Sequence, residues 1–170
     1  MNARHHKKSN MKNTNGITKK QLSYILPAFL FFMVSVYIGF NLTGKTASAE
    51  DIMVYKSPTC GCCEKWVTHL RKEGFNVTTK DMQNVKPVKK QIGVAAQYQS
   101  CHTAKVGKYF IEGHVSASDI KKLLKEKPDI KGLTVPGMPM GSPGMEGHRK
   151  DNYDVLAIDK NNNATVYSKH

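Results

Sequence analysis

The sequence predicts an α/β domain: a small mixed sheet with flanking helices and a C-terminal β-hairpin, preceded by an N-terminal apolar segment. Three observations predict it. Strand-like and helix-like runs alternate from Ile52 to Pro128, and strands separated by helices need crossover connections. Two β-rich runs, Tyr153 to Ile158 and Ala164 to Ser168, flank Asp159-Lys160-Asn161-Asn162-Asn163, whose residues favour a hairpin turn. Three of the four cysteines, Cys60, Cys62 and Cys63, fall between the first strand-like run and the first helix-like run.

The chain opens with a basic leader. Arg4, Lys7, Lys8, Lys12, Lys19 and Lys20 crowd the first 20 residues, with no acid among them. Leu22 to Phe40 is apolar apart from Ser23, Ser35 and Gly39, and Ala47-Ser48-Ala49 fits a signal-peptidase site. Residues 1–49 therefore read as a leader with a signal peptide or a membrane anchor, and residues 50–170 as the folded domain. The apolar run has 19 residues. At about 1.5 Å per residue it nearly spans a hydrocarbon core of about 30 Å, so an uncleaved anchor with its basic end inside competes with cleavage after Ala49. Either way, residues 50–170 are expected outside the cytoplasm, in the periplasm or on the outer face of the inner membrane. The membrane is touched only through the N-terminal segment.

Ile52 to Tyr55 reads as a buried strand. Trp66, Val67 and Leu70 give one face of a helix from Glu64 to Glu73, closed by Gly74. Phe75 to Thr79 alternates as a second strand, and Val85 to Ile92 is a short helix with Pro87 in its first turn. Gly93 to Thr103 is predicted as loop and Tyr109 to Val115 as a strand. Ser116 or Ser118 caps a helix that buries Ile120, Leu123 and Leu124 and ends at Pro128. Residues 132–150, rich in Gly, Pro and Met, are predicted as loop. This order, with thiols at the first strand-to-helix turn, resembles the thioredoxin-like fold without its last helix. Thr134-Val135-Pro136 is similar to the Thr-Val-Pro of glutaredoxins, whose proline is cis and faces the thiols; an ordinary trans proline is the alternative.

The formal net charge is +13, but from Glu50 onward the lysines are scattered among all 13 acids. With no arginine-rich, aromatic-interleaved surface, nucleic acid is not an expected partner. The chemistry points to sulfur instead. Cys60 and Cys63 have the spacing of a redox pair at a helix N-terminus, where the dipole stabilises a thiolate. With Cys62 between them and Cys101 supplied by a distant loop, the four can converge on a soft ion. Structural zinc usually takes two separated ligand pairs, and Cys101 stands without a second cysteine. Iron–sulfur spacing is absent. Copper(I) accepts low coordination by sulfur and tolerates the crowding of Cys-x-Cys-Cys. His102 adjoins Cys101 and is a candidate ligand, and His114 is another. Met138, Met140 and Met145 offer thioethers in a segment with no period that would bury them together. His69 reads as packed or surface-exposed. The competing readings are a thiol–disulfide oxidoreductase using Cys60 and Cys63, and a purely structural disulfide framework with three connectivities open.

Val54 to Trp66, Ser100-Cys101-His102-Thr103, Tyr109 to Val115, and Gly132 to Pro139 together resemble a bacterial family once described only as a domain of unknown function. This CopG-like family consists of small, extracytoplasmic, thioredoxin-like metal-binding proteins associated with copper resistance. The resemblance covers about residues 50–170. It implies copper(I) binding by Cys60, Cys62, Cys63 and Cys101, with a redox contribution, in a binding protein rather than an enzyme. Copper ions, with copper-export or copper-oxidising proteins, are the partners expected.

Overall fold

The computed structural model describes residues 31–35 and 50–170. Residues 31–35 are helical, with Ser35 Oγ donating to the Phe31 carbonyl at 2.9 Å. The rest of the predicted leader, apolar run and Ala47-Ser48-Ala49 lies outside the described residues. Among those described, no helix is long and apolar enough to cross a membrane.

From Asp51 the chain builds a seven-stranded mixed sheet. Its strands are β1 (Asp51–Lys56), β2 (Asn76–Asp81), β3 (Thr103–Val106), β4 (Tyr109–Gly113), β5 (Gly132–Val135), β6 (Asp154–Ile158) and β7 (Ala164–Lys169). They lie in the order β2-β1-β3-β4-β5-β6-β7. The parallel pairs β1/β2 and β4/β5 are joined through helices; the other neighbours are antiparallel. The helices are α1 (Gly61–Lys72), α2 (Lys86–Ile92) and α3 (Ala117–Glu126).

The predicted elements form, with two additions. Residues 103–106 are a strand that begins on the last residue predicted as loop, Thr103, and continues where no element was predicted, and residues 132–135 are a strand inside the segment predicted as loop. Both are short, and pairing on both sides makes them strands: β3 sits between β1 and β4, and β5 between β4 and β6. Helix α1 begins at Gly61 rather than Glu64, so Cys62 and Cys63 lie on its first turn and Cys60 is its N-cap. It ends in a Schellman turn, where the Phe75 and Gly74 N–H groups donate to the Leu70 and Arg71 carbonyls at 3.1 Å each. Ser116, not Ser118, caps α3, accepting the Asp119 N–H at 3.1 Å. No peptide bond among the described residues is cis, so Pro136 is the ordinary trans proline.

Strand alternation divides the core. Ile52, Val54, Ala104, Val106, Ile111, Leu133 and Val135 pack with Trp66, Val67 and Leu70 of α1 and Ile120 and Leu123 of α3. On the opposite face Phe110 and Ile158 pack with Val94, beneath Ile92 and Tyr98. One face thus carries α1 with the cysteine triplet, and the other is covered by the α2 segment.

Candidate metal centre

The sheet register delivers the fourth sulfur. Strand β1 runs toward the triplet, and the turn after it closes with the Cys60 N–H on the Ser57 carbonyl at 3.2 Å. Strand β3 runs antiparallel to β1 and starts with Thr103 opposite Tyr55. The residues just before Thr103 therefore sit beside the turn that begins α1. The Sγ atoms of Cys60, Cys62, Cys63 and Cys101 all lie within 4.8 Å of one another. Cys63 and Cys101 are 3.5 Å apart, as are Cys60 and Cys62. Cys63 is fully buried, while Cys60, Cys62 and Cys101 are half-buried and carry the cluster toward the surface. Cys60 and Cys63 are joined as a disulfide; Cys62 and Cys101 are free.

Two imidazoles meet Cys101 from the protein side. His114 Nε2 lies 3.3 Å and His102 Nδ1 3.2 Å from its sulfur, and the three form a second group of candidate ligands. Both histidines are fully buried. Burial holds each below the ordinary histidine range, reinforced for His102 by His114 and Lys89 and opposed at His114 by the Pro143 carbonyl. Both rings are therefore neutral at neutral pH. The Pro143 carbonyl, 2.7 Å from His114 Nδ1, can only accept, so Nδ1 carries the proton and the Nε2 lone pair faces Cys101. A ligating histidine is commonly held this way, its far N–H on a backbone carbonyl. Burial, aided by the Cys62 thiol, pushes Cys101 up to about 11, so its proton stays on without a positive neighbour. A consistent network follows: His102 Nδ1–H to the Cys101 sulfur, Cys101 S–H to His114 Nε2, and His114 Nδ1–H to Pro143. It leaves His102 Nε2 as a bare lone pair, and that atom is buried with no partner.

Trp66 frames this group. Its Nε1–H donates to the Val115 carbonyl at 2.8 Å, and its ring lies 4.4 Å from the His102 ring. The methionine segment closes over the start of α1. Gly144, at φ +86°, presses on the helix so closely that a Cβ there would stand 2.7 Å from the Cys62 carbonyl oxygen and 2.8 Å from the Trp66 nitrogen. Met140 and Met145 are half-buried in this segment, and Met138 is 40% exposed at its rim. His69 is a packing residue, as expected: its Nε2 accepts the Ala117 N–H at 3.2 Å at the start of α3.

The structure thus brings together all four cysteines with His102 and His114. Sequence reasoning missed three contributors: Trp66 as the wall against His102, Pro143 as the group that fixes the His114 tautomer, and Gly144 as the contact that seats the segment. The signal for the last two was Ser142-Pro143-Gly144, a turn sequence inside a methionine run.

The family described as "Protein of unknown function, DUF411" matches residues 98–145, from just before Cys101 to Met145. No curated protein matches the chain. Two solved structures, "Copper resistance protein copG- Form 2" and "Copper resistance protein copG- Form 1", are each 42% identical to it. Each superposes with a TM-score of 0.68 over 72% of this chain and 98% of that one. At that identity across nearly the whole of its relative, the chain belongs to the DUF411 family and is a relative of the copper resistance protein copG.

Proposed function

We propose that this protein binds copper(I) in copper resistance or homeostasis, with Cys60, Cys62, Cys63 and Cys101 as the sulfur donors. One observation carries the reading: four sulfurs from two remote segments lie within 4.8 Å of one another. Thiolate is the donor that soft copper(I) prefers, and thioether and neutral imidazole are acceptable additions. His114 offers a free Nε2 beside Cys101 and is the base within reach of that thiol's proton. His102 faces Cys101 with Nδ1 and becomes a donor there when its proton moves to Nε2, and Met138, Met140 and Met145, in the segment packed on the start of α1, are the further soft donors of this reading. Kinship with a copper resistance protein supports the choice of ion. The sheet order β2-β1-β3-β4, with thiols at the end of β1, supports a thioredoxin-like scaffold extended by β5 to β7.

Copper is cargo on this reading, and copper-export or copper-oxidising proteins are its donors or acceptors. The basic leader and apolar run support delivery of residues 50–170 to the periplasm or the outer face of the inner membrane. The N-terminal sequence of the mature protein tests that step; an intact Met1 end rejects cleavage after Ala49. The central test is anaerobic copper(I) titration of the reduced chain against a competing chelator. Tight binding is expected, weakened strongly by Cys101→Ser. Unchanged affinity after replacement of all four cysteines ends the proposal.

A second reading has its own support in the Cys60–Cys63 disulfide at the α1 N-terminus. A substrate dithiol would pass two electrons to that bond, leaving the substrate as a disulfide and Cys60 and Cys63 as two thiols. Oxidation of a dithiol peptide lost in Cys60→Ser and retained in Cys62→Ser favours this oxidoreductase. The two readings meet in one constraint: while the disulfide stands, two of the four sulfurs are not thiolates.

A further inference from the structure

Behind Cys101 the fold buries an ion pair that touches no sulfur. Lys89 of α2 is 1% exposed and Glu112 of β4 is 0% exposed. Strand alternation puts Glu112 on the Phe110 face, toward α2, and there Lys89 Nζ donates to its Oε1. The same oxygen accepts the Ser100 N–H at 2.6 Å. Ser100 is also packed against the strand, since a Cβ on Gly113 would lie 2.9 Å from the Ser100 Cβ. Ser100 immediately precedes Cys101, whose sulfur must reach Cys63 3.5 Å away.

Stability does not explain the pair. Taking two charges out of water costs about as much as their attraction returns, and apolar replacements of buried pairs are often neutral. What an apolar pair cannot do is accept the Ser100 N–H. We propose that Glu112, balanced by Lys89, is a positioning residue of the sulfur cluster: its carboxylate holds the Ser100 N–H and so sets Cys101 against Cys63. The metal consequence of this role rests on the copper reading above; the positioning itself does not.

Two double variants separate placement from stability. K89M/E112Q and K89M/E112L both remove the buried charges, but only the first keeps an oxygen for the Ser100 N–H. The readout is iodoacetamide alkylation of Cys101 in the reduced, metal-free full chain, followed for each cysteine by peptide mass spectrometry. K89M/E112Q is expected within about twofold of wild type, and K89M/E112L about tenfold faster at Cys101, with Cys62 unchanged. Copper(I) affinity is expected to hold in the first and to weaken about tenfold or more in the second, the size usual for groups that orient ligands. Equal Cys101 rates in the two folded doubles overturn the positioning role whatever copper does. Split rates in a chain that binds no copper uphold the role and remove the copper reading. Hydrogen exchange in the unmutated chain needs no variant: the Ser100 amide is expected to be protected about a hundredfold over a free peptide. Exchange at the free-peptide rate overturns the proposal, even where K89M/E112L does not fold.

Discussion

Replacing Gly144 by alanine tests whether the methionine segment is seated by direct backbone contact with α1. The added Cβ would stand 2.7 Å from the Cys62 oxygen, 2.8 Å from the Trp66 nitrogen and 3.2 Å from the Trp66 Cα. All three are backbone atoms of one helical turn, so no side chain can swing aside. A non-glycine residue at φ +86° adds backbone strain. Strain of about 1–3 kcal/mol and overpacking of about 1–3 kcal/mol put the cost of keeping the native seat at about 2–6 kcal/mol. The His114 bond to Pro143 returns only about 1 kcal/mol. The segment should therefore lift from α1 while the sheet stays folded. Urea unfolding should register only the lost anchors, about 1–2 kcal/mol. Side-chain nitrogen NMR of His114 should show that the Nδ1–H form is no longer enforced. A G144A protein with the wild-type urea midpoint and an unchanged His114 tautomer would refute the reasoning.

Other perturbations have equally definite outcomes. Trp66→Phe deletes the donor to the buried Val115 carbonyl and should cost about 2–4 kcal/mol in urea unfolding, with a shift in the His102 ring resonances. Leu123→Ala, at a fully buried position between α3 and the sheet, should cost about 2–5 kcal/mol by the same measurement, with Cys101 alkylation unchanged. Lys56, buried at the end of β1, bonds Asp81 at 2.8 Å and Glu64 at 3.1 Å, and these partners raise its pKa above the ordinary 10.5. Because the folded value is the higher one, its stabilisation is complete below pH 10.5 and is lost as pH climbs through the folded value. Urea midpoints from pH 8 to 12, about the span of lysine titration, should decline in wild type beyond that point and more weakly in K56M.

What the sequence shows and what it hides follow from the range of the forces involved. Periodicity within one segment revealed α1 and α3, because each carries its own apolar face, while Pro87 marked α2 and the turn-favouring residues 159–163 marked the last hairpin. Strands β3 and β5 have four residues each and owe their existence to neighbours far along the chain. The clue to β3 was Val106-Gly107-Lys108-Tyr109, in which a glycine opens a two-residue hairpin loop. The four cysteines could be grouped by chemistry alone, since thiols clustered in one turn have few other uses. Their meeting depends on the antiparallel register of β3 on β1, which no local pattern encodes. Lys89 and Glu112 were hidden for a similar reason: a lysine on a short helix reads as solvated until α2 is seen lying across β4. The buried glutamate inside the apolar run Tyr109-Phe110-Ile111-Glu112 was the visible half of that pair.

Thirty-eight positions of chain separate Cys63 from Cys101, and only the completed sheet closes that gap. An unfolded chain would carry an isolated triplet and a lone distant thiol, and so would hold a soft ion loosely. On the proposed copper reading, tight capture becomes the last act of folding, and by mass action the captured ion then resists the chain's unravelling, by about 2.7 kcal/mol when free ion exceeds the dissociation constant a hundredfold. The cargo would thus serve as the fastener of the protein that carries it.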